Sequence, residues 1–279
     1  MPLPVDIPAD QFVALDGIRF HYLDWGGDGE PLLLLAGLGC TAHVFAELAP
    51  HLGDRFRVVA LTRRGHGLSE QVGSGHALAT AADDASRLLD TLDIERVHVA
   101  GHSMGGGEAS ALAARHPGRV AKVVYLDGAY DWAERPAMAT PDDVESPESF
   151  ASYEHYVTFM QSLLPDGIWG PAMDTMMRTC VESRADGSVV DKLSDAAFAP
   201  FVRALNDFRH PYSDINAPAL AIYAVGEEWD EEEAEWRVAC RERFAAEIPG
   251  GQVMTMQASH YLFFDRRDAV LTAMRQFLT

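Results

Sequence analysis

From residue 31 onward, short apolar runs alternate with stretches whose apolar residues repeat at helical spacing, and this rhythm constrains the chain more than any other feature. The runs lie near Leu32–Ala36, Phe56–Leu61, Val97–Gly101, Val120–Leu126, Ala219–Val225 and Val253–Met256. Such segments read as strands buried on both faces. Strands separated by helices are forced into a parallel sheet, because each crossover lays its helix on the sheet. Two earlier segments, Phe12–Leu15 and Ile18–Trp25, flank Asp16 and Gly17, residues that accept the positive φ angles of a tight hairpin turn. The expectation is an α/β fold: a mostly parallel eight-stranded sheet with an antiparallel start and helices on both faces.

Ala81, Ala85, Leu88, Leu89 and Leu92 form one helical stripe, and Val270, Leu271, Met274, Phe277 and Leu278 form another at the C-terminus. The rhythm breaks between Asp127 and Pro218, where no convincing strand is seen. Residues 128–215 are therefore predicted to be a mostly helical cap, inserted into a core made of residues 1–127 and 216–279. Within the insertion, Tyr153, Tyr156, Val157, Met160 and Leu164 share a stripe, as do Met173, Met176 and Met177. Such stripes serve core packing or an adaptable apolar pocket. Tyr130, Trp132, Met160 and Trp169 are the candidate substrate contacts. The acid-rich run from Glu227 to Glu235 reads as a solvated helix start, its carboxylates favouring the helix N-terminus.

Lys and Arg number 22 against 42 Asp and Glu, giving a formal charge of −20, which argues against nucleic acid or an anionic membrane as a partner. Cys40, Cys180 and Cys240 are widely spaced and form no metal or redox pair, so they read as reduced thiols of a cytoplasmic protein. The first ten residues show no secretory signal, and the longest apolar run, Leu32–Cys40, is about half the length a bilayer span needs.

The chemistry concentrates in Gly101-His102-Ser103-Met104-Gly105, a G-x-S-x-G that follows an apolar strand and opens a helical segment, Gly106–Arg115. In that context it is a nucleophile elbow: the serine sits on a strained strand-to-helix turn with its hydroxyl exposed above the strand ends. Serine needs a base, and His260, between the last strand and the last helix, is best placed to return to the same sheet edge. His102 reads as structural. His43, His66 and His155 could line the site, whereas His21, His51, His76, His98, His116 and His210 read as surface or packing residues.

Strand order, elbow and late histidine together resemble the α/β-hydrolase fold family with an inserted cap. Arg64-Gly65-His66-Gly67-Leu68-Ser69 is similar to that family's R-G-x-G-x-S segment, with Thr62 where aspartate is commoner. Ala36-Gly37-Leu38-Gly39 resembles the loop that usually begins His-Gly. The resemblance implies an oxyanion hole made by the backbone N–H groups of Leu38 and Met104. The family's usual Gly-x-x-Asp acid is replaced here by Gly226-Glu227-Glu228-Trp229. Asp127, which ends Val123-Val124-Tyr125-Leu126-Asp127, is the preferred acid by its similarity to relatives whose acid follows the sixth strand. Glu228 and Asp230 are the alternatives.

These readings imply a serine hydrolase of a carboxylic ester or lactone with an apolar group, working through Ser103, His260 and Asp127 and needing no metal or organic cofactor. The same machinery serves C–C bond hydrolysis, perhydrolysis and lyase or cyclase steps. Ser103-Met104-Gly105-Gly106-Gly107-Glu108 also resembles cofactor-free perhydrolases. A binding protein that kept the fold and lost turnover is the alternative outside enzymology. The expected partner is a small apolar ester-like molecule, and the oligomeric state is left open.

Overall fold

The computed structural model describes residues 7–135, 149–193, 195–226 and 230–279. Its main sheet has eight strands: β1 (Gln11–Leu15), β2 (Ile18–Gly26), β3 (Glu30–Leu35), β4 (Phe56–Leu61), β5 (Val97–His102), β6 (Val120–Leu126), β9 (Ala219–Val225) and β10 (Gln252–Gln257). Their order is β1-β2-β4-β3-β5-β6-β9-β10. The β1–β2 hairpin and the β2–β4 pair are antiparallel and every other pairing is parallel. The hairpin closes through Asp16 and Gly17 with φ of 49° and 82°, as the residue pair predicts.

Alternation along β3 shows why the strand runs are apolar throughout. Leu32 and Leu34 join a core cluster on one face with Val270, Leu271 and Met274. Leu33 and Leu35 join the opposite cluster with Ala85, Leu88, Leu89, Leu112 and Phe244. The first face is covered by α8 (Arg267–Leu278) and the short 3-10 turns Ala42–Phe45 and Ala49–His51. The second is covered by α1 (Leu78–Thr91), α2 (Met104–Arg115) and α6 (Glu231–Glu247). A strand with helices on both faces has no side left for water, so its polar alternation is lost.

Between β6 and β9 run α3 (Tyr153–Leu163), α4 (Pro171–Cys180) and α5 (Asp195–Asn206). This segment also holds two strands that the sequence does not announce, β7 (Val181–Ser183) and β8 (Val189–Asp191), paired antiparallel. Three residues are too few to display a period of two. The Asp186-Gly187 turn was the available signal, with Gly187 at φ 87°. A four-residue helix, α7 (Leu262–Asp265), precedes α8. No helix among the described residues is long and apolar enough to cross a membrane.

Candidate active site

Ser103 lies between the last residue of β5 and the first of α2, at φ 52° and ψ −124°, a left-handed backbone that a side chain adopts only under strain. What over-determines it is crowding. A side chain at Gly101 would run into the backbone of Gly105, one at Gly105 into Leu35, and one at Gly106 into Gly128. The glycines of the motif let three stretches of backbone meet around the serine, which stays 8% exposed. Helix α2 begins at Met104 rather than at the predicted Gly106, so its first free N–H groups lie directly behind the serine.

Registration of β5 on β6 pairs His102 with Leu126, making Ser103 and Asp127 the next residues on neighbouring parallel strand ends. Asp127 also has a positive φ, 47°, and its N–H donates to Ile222 of β9 at 2.8 Å. Its carboxylate is fully buried. Oδ2 accepts from His260 Nδ1 at 2.6 Å, while Oδ1 accepts from the Tyr130 hydroxyl at 2.6 Å and the Ala224 N–H at 2.8 Å. Burial alone would raise its pKa. The His260 hydrogen bond and charge, with Arg237 behind, outweigh burial and hold Asp127 below the ordinary carboxylate value. With Nδ1 committed to Asp127, the other nitrogen of His260 carries the free lone pair. The His260 side chain is 34% exposed.

The turn carrying His260 is fastened to the elbow. His102 Nε2 donates to the His260 carbonyl at 3.0 Å, and burial holds His102 down to about 3, so it stays neutral. Its Nδ1 is buried without a partner among the described residues. A Cβ built on Gly37 would lie 3.0 Å from that nitrogen and 3.1 Å from Ser103 Cβ, which places the Gly37-Leu38 loop directly against the serine. Among the described residues, the N–H groups of Leu38 and Met104 donate to no protein acceptor.

Sequence reading passed over the residue that holds this loop. Arg63 donates to the carbonyls of Ala36 at 2.8 Å and Gly37 at 3.3 Å, and its charge is met by Glu108 of α2. Both side chains are buried. With these carbonyls anchored on the guanidinium, the loop is fixed in one orientation. The available signal was Glu108 itself, a lone charge in the otherwise small and apolar start of α2, which requires a buried counter-charge. Arg64, the motif arginine, instead makes a two-pronged contact with Asp84 of α1 at 2.7 Å and 2.7 Å.

The candidate substrate contacts separate. Tyr130 is fully buried beneath Asp127, donating to its carboxylate and accepting from Arg237 at 2.7 Å, so it supports the acid instead of forming a pocket wall. Arg237 is in turn paired with Glu233 at 2.7 Å, and Glu233 also with Arg135 at 3.1 Å. Trp132 packs with Leu38, Met104, Leu78, Phe201 and Leu205 in one apolar cluster. Met160 and Trp169 are half-buried against the large cluster on the other face of the sheet. Phe201 and Leu205, in the cluster with Trp132, come from α5, which the sequence stripes did not single out.

Of the alternative acids, Asp230 caps α6 and accepts from the Glu233 N–H at 2.8 Å, consistent with the predicted acidic helix start. Glu228 lies outside the described residues. His66 is buried against Phe201, and His155 is exposed on α3. His21 and His43 are buried together beside Asp10. His98 and His210 are buried as well. All three cysteines are free and buried, and burial raises each thiol, Cys40 and Cys240 to about 11.

Comparison with known proteins places this arrangement. Residues 30–154 match the family model described as the alpha/beta hydrolase fold. The crystal structure of E-2-(acetamidomethylene)succinate hydrolase superposes with a TM-score of 0.77 over 98% of this chain and 99% of that one, at 24% identity. The chain has the α/β-hydrolase fold. By sequence it is 28% identical to the 2-(acetamidomethylene)succinate hydrolase of Mesorhizobium japonicum, over 80% of this chain and 81% of that protein. It is 40% identical to the bifunctional esterase/perhydrolase DCH of Acinetobacter calcoaceticus over 40% of this chain and 41% of that one. Against several curated relatives the α/β-hydrolase-fold chain spans only 32% to 43% of their length.

Proposed function

We propose that this protein is a serine hydrolase cleaving a carboxylic ester or lactone with an apolar group. The observation that carries the reading is the 2.6 Å contact between His260 Nδ1 and a fully buried Asp127, on the strand end next to a serine held at φ 52°. Ser103 Oγ attacks the carbonyl and His260 takes its proton. Asp127 keeps the imidazole in the required tautomer and stabilises the imidazolium that forms. The N–H groups of Leu38 and Met104 receive the developing oxyanion, each worth roughly 3 to 4 kcal/mol in the transition state. His260 then protonates the departing alcohol, and water assisted by the same histidine releases the acyl group.

Residues 128–215 act as a cap, with α5 and Trp132 supplying apolar contacts near the oxyanion loop. Shedding water there strengthens the contacts beneath. The apolar character of Phe201, Leu205 and Trp132 supports an apolar ester over a charged substrate. Similarity to an esterase/perhydrolase supports acyl transfer as the reaction class.

A fluorophosphonate probe and a series of p-nitrophenyl esters of increasing acyl length test the reading. Stoichiometric labelling at Ser103, absent in Ser103→Ala, with ester turnover that varies with acyl length is expected. Neither labelling nor turnover from a folded chain would make the protein a binder on a hydrolase scaffold.

A further inference from the structure

Away from the elbow, three metal-binding side chains converge from separate parts of the chain. Asp10 precedes β1, His21 lies on β2, and His43 lies on the 3-10 turn after the Gly37-Leu38 loop. Asp10 Oδ1 is 2.9 Å from His21 Nε2 and 3.1 Å from His43 Nε2, and all three ligand atoms lie within 4.8 Å of one another. Both imidazoles are buried, whereas the Asp10 side chain is 43% exposed and leaves a way in from solvent.

Proton counting shows what this cluster lacks. The Thr179 hydroxyl donates to Met176 O at 2.6 Å, so in its 3.3 Å contact with Thr41 it accepts, and Thr41 donates. Thr41 Oγ1 is then the acceptor for His43 Nδ1 at 3.2 Å. A neutral His43 carrying its proton on Nδ1 presents the lone pair of Nε2 to an aspartate oxygen, an acceptor facing an acceptor. A cation between the two atoms satisfies both.

We infer that Asp10, His21 and His43 form a binding site for a divalent transition metal ion of the zinc type, with the fourth position open to water. Ligand atoms about 2.0–2.1 Å from such an ion in tetrahedral array stand roughly 3.3 Å apart, close to the separations around Asp10 Oδ1. The second ring nitrogens meet Thr41 and Thr62, His21 Nδ1 at 2.8 Å from Thr62 Oγ1, the kind of outer contact that orients ligating histidines. An ion here ties the segment before β1 to the turn that follows the oxyanion loop. Its role is structural, distinct from the acyl-transfer chemistry proposed above.

The test uses the untagged full-length chain, stripped with EDTA and titrated with Co(II), read by visible absorption, and with Zn(II), read by calorimetry. One ion per chain with a tetrahedral Co(II) spectrum is expected, displaced by Zn(II) and not by Ca(II). Asp10→Asn, a half-exposed change that preserves shape, and His43→Gln should each weaken binding by about a hundredfold or more, beyond the loss from removing a supporting residue. Thr41→Val, which removes the acceptor fixing the tautomer, should weaken it about tenfold. Equal binding by wild type and Asp10→Asn would overturn the site. So would the absence of Co(II) and Zn(II) binding to the stripped wild-type chain. None of these readouts uses hydrolytic activity, so failure here leaves the ester reading standing, and the converse.

Discussion

Between residues 101 and 106 almost nothing can be exchanged, because the backbones of β3, β5, α2 and the Asp127-Gly128 turn lie too close for added atoms. Between residues 149 and 206 the apolar stripes of α3 and α4 pack on the 3-10 turn and on the large core cluster, while α5 alone brings Phe201 and Leu205 to Leu38 and Met104. The first region fixes reacting groups by backbone contact. The second presents replaceable side chains. In the proposed reaction, chemistry and selectivity would then rest on different kinds of structure, and mutations should separate them.

The strongest attempt to break the division is Asp127→Asn. An amide holds His260 in the wrong tautomer and leaves the imidazolium without a counter-charge, so kcat for an ester substrate should fall by about 10⁴. A loss of only a few-fold would move the acid elsewhere. Acid sensitivity should follow the buried histidines. The folded-state values of His66 and His102, both about 3, and His210, about 4, lie below the ordinary 6.5, so the unfolded chain binds the extra protons. Stability is then complete above about pH 6.5 and lost as pH falls toward 4, by up to about 1.4 kcal/mol per pH unit for each histidine. Urea midpoints at pH 7 and pH 5 measure the loss, and equal midpoints would contradict it.

Smaller effects sharpen the contrast. Tyr130→Phe removes one hydrogen bond from Asp127 and one from Arg237, which keeps its pairing with Glu233, so kcat should drop about tenfold with little change in KM, as the net worth of a charge-assisted bond suggests. A change in KM alone would return Tyr130 to the substrate wall. Phe201→Ala should shift acyl-length preference several-fold while Met160→Ala shifts mainly the melting temperature, and the reverse result would place α3 at the pocket. Asp230→Asn should leave turnover unchanged and, because asparagine caps about as well as aspartate, alter stability by well under 1 kcal/mol. A large loss of activity would make Asp230 part of the chemistry.

The inner strands were legible because they are largely buried: Phe56–Leu61, Val120–Leu126 and Ala219–Val225 have the limits that their apolar runs show, whereas the edge strand Gln252–Gln257 leaves Val253 and Met254 exposed. The placing of Asp127 beside His260, on the strand end next to Ser103, was legible because each residue follows a strand, where sequence order translates into position. Tyr130 was misread because an aromatic residue after such an end can face the cleft or fold beneath it, and spacing does not distinguish the two. Its partner Arg237 is 107 residues further along, a contact that only the packing of α6 creates. The pairing of His21 with His43 through Asp10 is of the same kind, since three unconnected segments supply it.

Arg63 and Glu108 leave a mark on the chain's history as well as on its loop. Losing either one strands an uncompensated buried charge, costing about 3 to 5 kcal/mol, while replacing both with well-packed apolar residues can be neutral. A lineage can therefore abandon the pair only in one double step or through an ancestor with stability to spare. Even then it inherits an Ala36 carbonyl that has lost its Arg63 donor, and a Gly37 carbonyl left to the Cys40 N–H.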